Sequence, residues 1–179
     1  ERLKLTPRLD LAAVALGLDE LEAKPELGGL AINLSASSIQ LPQFRSELHA
    51  LLKRRPGTSR LWLEVSEAGA LAHFDAFRAL CLELINVGCQ MGIEHFGRQF
   101  SEIGRLHDLG LDYIKVDASF IRGLEKNTGN QAFLKGLSSI AKGIGLKVIA
   151  EGVTSEAEFA ALVEVGFDGA TGPGVKEPD

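Results

Sequence analysis

The chain has 179 residues, 45% of them hydrophobic, enough for one domain with a substantial core. Its 19 basic and 24 acidic side chains are mixed along the sequence, the net charge is −5, and no basic block marks it for duplex nucleic acid. No apolar run reaches the roughly 18 residues of a membrane span, and no secretory signal pattern is present.

Residues 3–22 read as a helix, with Thr6 as its cap, Pro7 in its first turn and Leu9, Ala12, Ala13 and Leu16 on its buried face. A turn-rich stretch leads to a short apolar strand at 30–34, broken by Asn33. Pro42 opens a second helix that buries Phe44, Leu48, Leu51 and Leu52, and Pro56-Gly57 ends it. Residues 60–66 are the next strand. Residues 73–87 form a third helix with Phe74, Phe77, Leu80, Cys81 and Leu84 inward, stopping at Gly88. The strand that follows ends on two polar groups, Glu94 and His95, before Phe96-Gly97 and a polar loop. A short helix at 101–109, a strand at 112–116, a helix at 130–144 and a strand at 147–150 come next. Ser155 and Glu158 make a capping box for a helix that runs to Val165. Residues 168–171 are a last, weak strand.

Gly88, Gly110, Gly145 and Gly166 each stand just past a helix, where a left-handed cap needs glycine, and each is followed by an apolar entry into a strand. Repeated units of this kind imply a parallel sheet covered by helices, either an open doubly wound sheet or a barrel. Asn33, Glu64, Glu94, Lys115, Asp117, Glu151 and Thr171 all fall at or near strand C-termini. A (β/α) barrel gathers such groups around one pocket, whereas an open sheet uses mainly its switch point. Neither GxGxxG after a strand nor GxxxxGK[ST] occurs. The expected fold is therefore a modified TIM-type (β/α) barrel forming one partial domain over 1–179. Six strands against the usual eight imply that at least one strand precedes residue 1 and that another element follows the last residue.

Converging carboxylates repel one another unless a cation or a proton sits between them. Asn33, Glu64, Glu94 and Glu151 offer the hard oxygen ligands that Mg²⁺, Mn²⁺ or Ca²⁺ prefer. Lys115 either pairs with Asp117 or Glu151 or faces a phosphate. Glu67 follows Glu64 closely enough to brace the neighbouring loop. Cys81 and Cys89 read as reduced, buried thiols. A zinc framework would need more Cys or His at ligand spacing than His49, His73, His95 and His107 supply.

Five ordered motifs carry a resemblance: Asn33-Leu34-Ser35, Leu63-Glu64-Val65-Ser66-Glu67, Glu94-His95-Phe96-Gly97, Lys115-Val116-Asp117 with Ser119-Phe120, and Ala150-Glu151-Gly152-Val153. In order and spacing they resemble the EAL domain, from about the first helix to the end of the chain. The resemblance implies a modified TIM barrel of the cyclic-di-GMP phosphodiesterases, which hydrolyse one phosphodiester bond with two divalent metals. It implies metal ligands at Asn33, Glu64, Glu94, His95 and Asp117, with Glu94 in the bridging position. Lys115 would orient the attacking water, Glu151 would belong to the active-site shell, and Glu67 would brace the loop after Phe96-Gly97. Lys115, Asn33, Glu151 and Thr171 would face the bound dinucleotide.

The departures weigh against hydrolysis. The family's Asp-Asp pair is Glu94-His95 here, its Gly-rich loop is Arg98-Gln99-Phe100-Ser101-Glu102, its late glutamine is Thr171, and a later acidic position is Thr154. A two-metal site needs ions about 3.5–4 Å apart, clamped by a bridging ligand. Glu94 shifts that carboxylate by a methylene, and misplacement on this scale can cost about 10²-fold. His95 puts an imidazole where Mg²⁺ wants oxygen. Ligand binding need not fail with catalysis. The sequence therefore reads as a degenerate EAL domain, a cyclic-di-GMP receptor and signal-transduction module needing no cofactor to bind. Mg²⁺ or Mn²⁺ would be required only for an active enzyme. The Glu-His-Phe-Gly variant resembles the output domain of LapD-type receptors. That implies a cytoplasmic domain of an inner-membrane protein, attached signalling domains and an EAL–EAL homodimer. An active metal-dependent phosphodiesterase and a partner-binding barrel without a nucleotide site are the alternatives.

Overall fold

In the computed structural model the described residues are 2–175. They run as α1 (Arg2–Ala23), β1 (Leu30–Asn33), α2 (Ala36–Ile39), α3 (Pro42–Lys53), β2 (Leu61–Ser66), α4 (Glu67–Ala72), α5 (Phe74–Leu84), β3 (Gln90–Phe96), β4 (Tyr113–Val116), α6 (Ala118–Ile121), α7 (Thr128–Gly143), β5 (Lys147–Ala150), α8 (Glu156–Val165) and β6 (Gly169–Ala170). Strand order is β1-β2-β3-β4-β5-β6, the order in which the chain makes them. That sequential order is the barrel order, without the reversal that defines the switch point of an open doubly wound sheet.

The chain divides into two compact units. The first holds the residues up to Ile93 with Leu109–Leu111, and the second holds Glu94–Asp108 with the chain from Asp112 on. In the first, β1 and β2 are parallel, from Leu30 opposite Leu61 to Asn33 opposite Glu64. Leu61, Leu63 and Val65 of β2 are fully buried, and Phe44, Leu48 and Leu52 of α3 and Phe77, Leu80, Cys81 and Leu84 of α5 complete the core. In the second, β5 lies between parallel neighbours, with Tyr113 opposite Lys147 on one side and Ala150 opposite Ala170 on the other. Ile114, Val116, Val148, Ala150, Leu134 and Leu137 are fully buried there. Cys81 and Cys89 are both free and buried.

Four expectations are corrected. Thr6 does not cap α1: the helix is already formed at Arg2 and carries Pro7 inside it. Its buried face is Val14, Leu18 and Leu21, while Leu9 and Leu16 are 65% and 68% exposed. Leucine and alanine surround this helix on several sides, so spacing alone did not choose the face that Gly17 presents closely to Leu30 and Ile32. The helix expected over 73–87 is α5, Phe74–Leu84, which ends three residues early, and a further short helix that the spacing did not announce, α4, precedes it. Ser66 caps α4 by accepting from the Gly69 amide at 3.2 Å. The capping box on α8 is half formed. Ser155 Oγ accepts from the Glu158 amide at 3.1 Å, but the Glu158 carboxylate bonds elsewhere, to Gly123 and Thr154.

The glycine grammar holds. Gly88, Gly110, Gly145 and Gly166 all have φ between +74° and +102°. No helix among the described residues is long and apolar enough to cross a membrane.

Candidate functional site

In the first unit, Asn33 at the end of β1 stands opposite Glu64, two residues before the end of β2. The Leu34 amide donates to the Glu64 carbonyl at 2.7 Å, which extends the pairing one residue past β1. Glu64 and Glu67 are buried, at 2% and 3% exposure, and Glu67 opens α4. The turn after Asn33 is held by Asp10 of α1. Its carboxylate accepts from the Ser35 amide at 2.8 Å and faces the Ser35 hydroxyl at 3.3 Å. Motif spacing did not flag Asp10, because its role depends on helix α1 passing over a turn far along the chain.

In the second unit, β3 ends at Glu94, His95 and Phe96, and His95 has a left-handed backbone, φ 54°. A non-glycine residue in that region is held there by its surroundings at a cost of about 1–3 kcal/mol. The Asp117 amide donates to the Phe96 carbonyl at 3.0 Å, and the Glu151 amide to the Val116 carbonyl at 3.0 Å. These bonds bring the ends of β3, β4 and β5 level. As a result His95 Nδ1 lies 2.9 Å from Glu151 Oε2 and 3.4 Å from Asp117 Oδ2, while Nε2 lies 3.8 Å from Glu94 Oε2.

The two carboxylates facing His95 are in different electrostatic states. Asp117 is held below the ordinary carboxyl range, chiefly by the Ser119 hydroxyl and amide, with the charges of His95 and Arg98 adding to this. Its Oδ1 accepts from the Ser119 amide at 2.9 Å and from the Ser119 hydroxyl at 2.5 Å. Glu151 is pushed up by burial and by the Glu94 charge, against the opposing pull of His95 and Lys115. Its Oε2 is buried and accepts no hydrogen bond.

The remaining positions of the reading are placed as follows. Lys115 is half-buried on β4, in register with Ile149. Thr171 is exposed just past β6, and its hydroxyl turns back to the Ala150 carbonyl at 3.3 Å. Its backbone staples the turn after β5: its amide donates to Ala150 and its carbonyl accepts from Val153, at 2.8 and 2.9 Å. The loop after β3 begins at Gly97, φ 138°, where a Cβ would stand 2.6 Å from the Phe120 ring. Phe100 then packs edge-on to Phe133 of α7, centroids 5.2 Å apart, and Phe133 stacks on Phe120 at 5.5 Å. The structure thus groups His95, Asp117 and Glu151, one donor atom from each lying within 4.8 Å of the other two. The sequence had placed Glu151 with the catalytic shell; it is a direct neighbour of His95.

Residues 1–178 match the EAL domain model. The chain is 27% identical over 172 residues to cyclic di-GMP phosphodiesterase PdeA of Borreliella burgdorferi, covering 94% of this chain and 26% of PdeA. It spans about a quarter or less of the length of the curated relatives it matches. The FimX EAL domain from Pseudomonas aeruginosa bound to c-di-GMP superposes with a TM-score of 0.87 at 27% identity, over 98% of this chain and 72% of FimX's. Klebsiella pneumoniae BlrP1, in a manganese/c-di-GMP complex, gives 0.78 at 28% identity, over 93% of this chain and 43% of BlrP1's. Vibrio cholerae LapD, S helix-GGDEF-EAL bound to c-di-GMP, gives 0.83 at 24% identity, over 94% and 42% of the two chains, a likeness of fold. Sequential strand order and a family match along almost the whole chain agree: this protein belongs to the EAL domain family.

Proposed function

We propose that this chain is a cyclic-di-GMP-binding EAL module that has lost efficient hydrolysis and works as a receptor. One observation carries the reading: the His95 imidazole lies against Glu151 and Asp117, where two-metal chemistry would want an anionic oxygen. The donor set does not fit a pair of hard ions. Mg²⁺ favours octahedral oxygen, and an imidazole is a poor substitute. Glu94, the other member of the pair, is longer by a methylene than the bridging aspartate that the family resemblance implies. No hydrolytic step is therefore derived through metal at this site.

Binding asks less of the site than cutting does. Lys115, Asn33, Glu151 and Thr171 are the side chains we assign to the dinucleotide, together with main-chain groups at the strand ends. The c-di-GMP complexes of FimX from Pseudomonas aeruginosa and of BlrP1 support the ligand class. The occupied state would be relayed to attached signalling domains or to a second EAL copy. The parent is proposed to be an inner-membrane protein with this domain in the cytoplasm.

The test is calorimetry with cyclic-di-GMP alongside a turnover assay on the full-length protein. Micromolar or tighter binding without turnover is expected, and ordinary turnover with Mg²⁺ or Mn²⁺ would end the proposal. A second reading, a working phosphodiesterase that uses His95 as a ligand, is favoured by the close grouping of His95, Asp117 and Glu151. Replacing Glu94 and His95 together by Asp separates the two. A large gain in rate supports the receptor, and a rate unchanged or lowered supports the enzyme.

A further inference from the structure

We infer that His95, Asp117 and Glu151 form a mononuclear site for a nitrogen-accepting divalent ion of the zinc class, in place of the pair of hard ions the family implies. The site uses the same strand ends as the proposed function, but it does not require cyclic-di-GMP to bind.

Donor spacing is the first ground. An ion bound to nitrogen and oxygen at about 2.0–2.2 Å holds neighbouring donors about 3.0–3.5 Å apart, whether it is tetrahedral or octahedral. His95 Nδ1 lies 2.9 Å from Glu151 Oε2 and 3.4 Å from Asp117 Oδ2, and all three donors fall within 4.8 Å of one another. Glu94 faces Nε2, on the other side of the ring, so it takes no part in this set.

The second ground is the orphaned oxygen. Glu151 Oε2 is buried beside a ring nitrogen at 2.9 Å, yet it accepts no hydrogen bond. An imidazolium clamping this carboxylate would aim its N–H along the line to the oxygen. No such hydrogen bond reaches Oε2 here. A ring nitrogen and a carboxylate oxygen this close, with no hydrogen bond joining them, are the arrangement that a cation bound to both would hold.

The third ground is orientation. Asp117 Oδ1 is occupied by the Ser119 amide and hydroxyl, and this turns Oδ2 towards His95. Outer contacts of this kind fix a metal ligand's direction. His95 is itself set on a left-handed backbone, beside the bond from the Asp117 amide to the Phe96 carbonyl. One imidazole with two carboxylates suits Zn²⁺, Fe²⁺, Co²⁺ or Ni²⁺ better than Mg²⁺. The His95 side chain is 58% exposed, so coordination positions stay open to solvent or to an incoming phosphate oxygen.

The experiment uses full-length protein stripped with a chelator and titrated with Zn²⁺ and, separately, Mg²⁺, beside the His95→Asp and His95→Ala variants. Expected is one Zn²⁺ per chain that the wild type binds and both variants bind at least about tenfold more weakly. Mg²⁺ should bind the wild type poorly and the His95→Asp variant better. Co²⁺ gives an independent readout, since its visible spectrum should change when the nitrogen donor is removed. Zn²⁺ binding that is absent, or equal in wild type and variants, overturns the site, as does a Co²⁺ spectrum indifferent to residue 95. Cyclic-di-GMP calorimetry on the stripped protein tells the failures apart. Nucleotide binding with no His95-dependent Zn²⁺ site sinks this inference alone, and a Zn²⁺ site without nucleotide binding sinks the receptor alone.

Discussion

At the scale of single residues, Glu151 and His95 set the character of the site. Burial leaves the Glu151 carboxylate short of water, and its pKa rises from the ordinary 4.5. The folded protein therefore holds that proton more tightly than the unfolded chain does. Stability from this group is complete below about pH 4.5 and declines as pH climbs through the raised folded value. In chelator-treated protein, Glu151→Gln should then be more stable than wild type at pH 7 and equal to it near pH 4, as read from urea midpoints. Equal midpoints at pH 7 would show that the carboxylate is not strained by burial. The sequence showed which side chains could meet. It did not show that the His95 ring would turn towards Glu151 and Asp117, because a left-handed residue at a strand end is set by the strands beside it.

At the scale of elements, two helices test the packing. Leu18 of α1 is fully buried while Leu16 is exposed. Leu18→Ala should cost about 2–5 kcal/mol, and Leu16→Ala less than about 0.5 kcal/mol, in chemical denaturation. The reverse order would restore the face read from spacing. At the start of α8, burial alone would raise Glu158, but the amides of Gly123 and Thr154, the Thr154 hydroxyl and the Arg122 charge outweigh it and hold the group low. Glu158 Oε1 accepts from Gly123 at 3.0 Å and Oε2 from the Thr154 amide at 2.7 Å. The stability it adds is present above about pH 4.5 and is lost as pH falls through the lowered folded value. Glu158→Gln should cost about 1.5–3 kcal/mol at pH 7 and show a flatter acid limb in the stability profile. A Glu158→Gln acid limb as steep as that of the wild type would place the acid sensitivity elsewhere.

At the scale of the whole molecule, the chain is proposed to be one partial EAL domain. Within it the structure shows two compact units. If the domain is one cooperative body, amides of β1–β2 and of β4–β5 should exchange with the same opening free energy in native-state hydrogen exchange. Separate free energies would make the units independent folding bodies.

The sequence alone determined the repeating helix, glycine and strand, all six strands to within a residue or two, and the polar residue at each strand end. Those features are local: left-handed glycine caps and β-branched apolar runs act over a few residues. Tertiary structure decided the buried face of α1, the Asp10 hold on the turn after Asn33, the destination of the Glu158 carboxylate and the grouping of His95 with Glu151. Each of these joins residues distant in the chain, and only packing of one segment on another, through burial and hydrogen bonds no local pattern encodes, selects among the partners the composition permits.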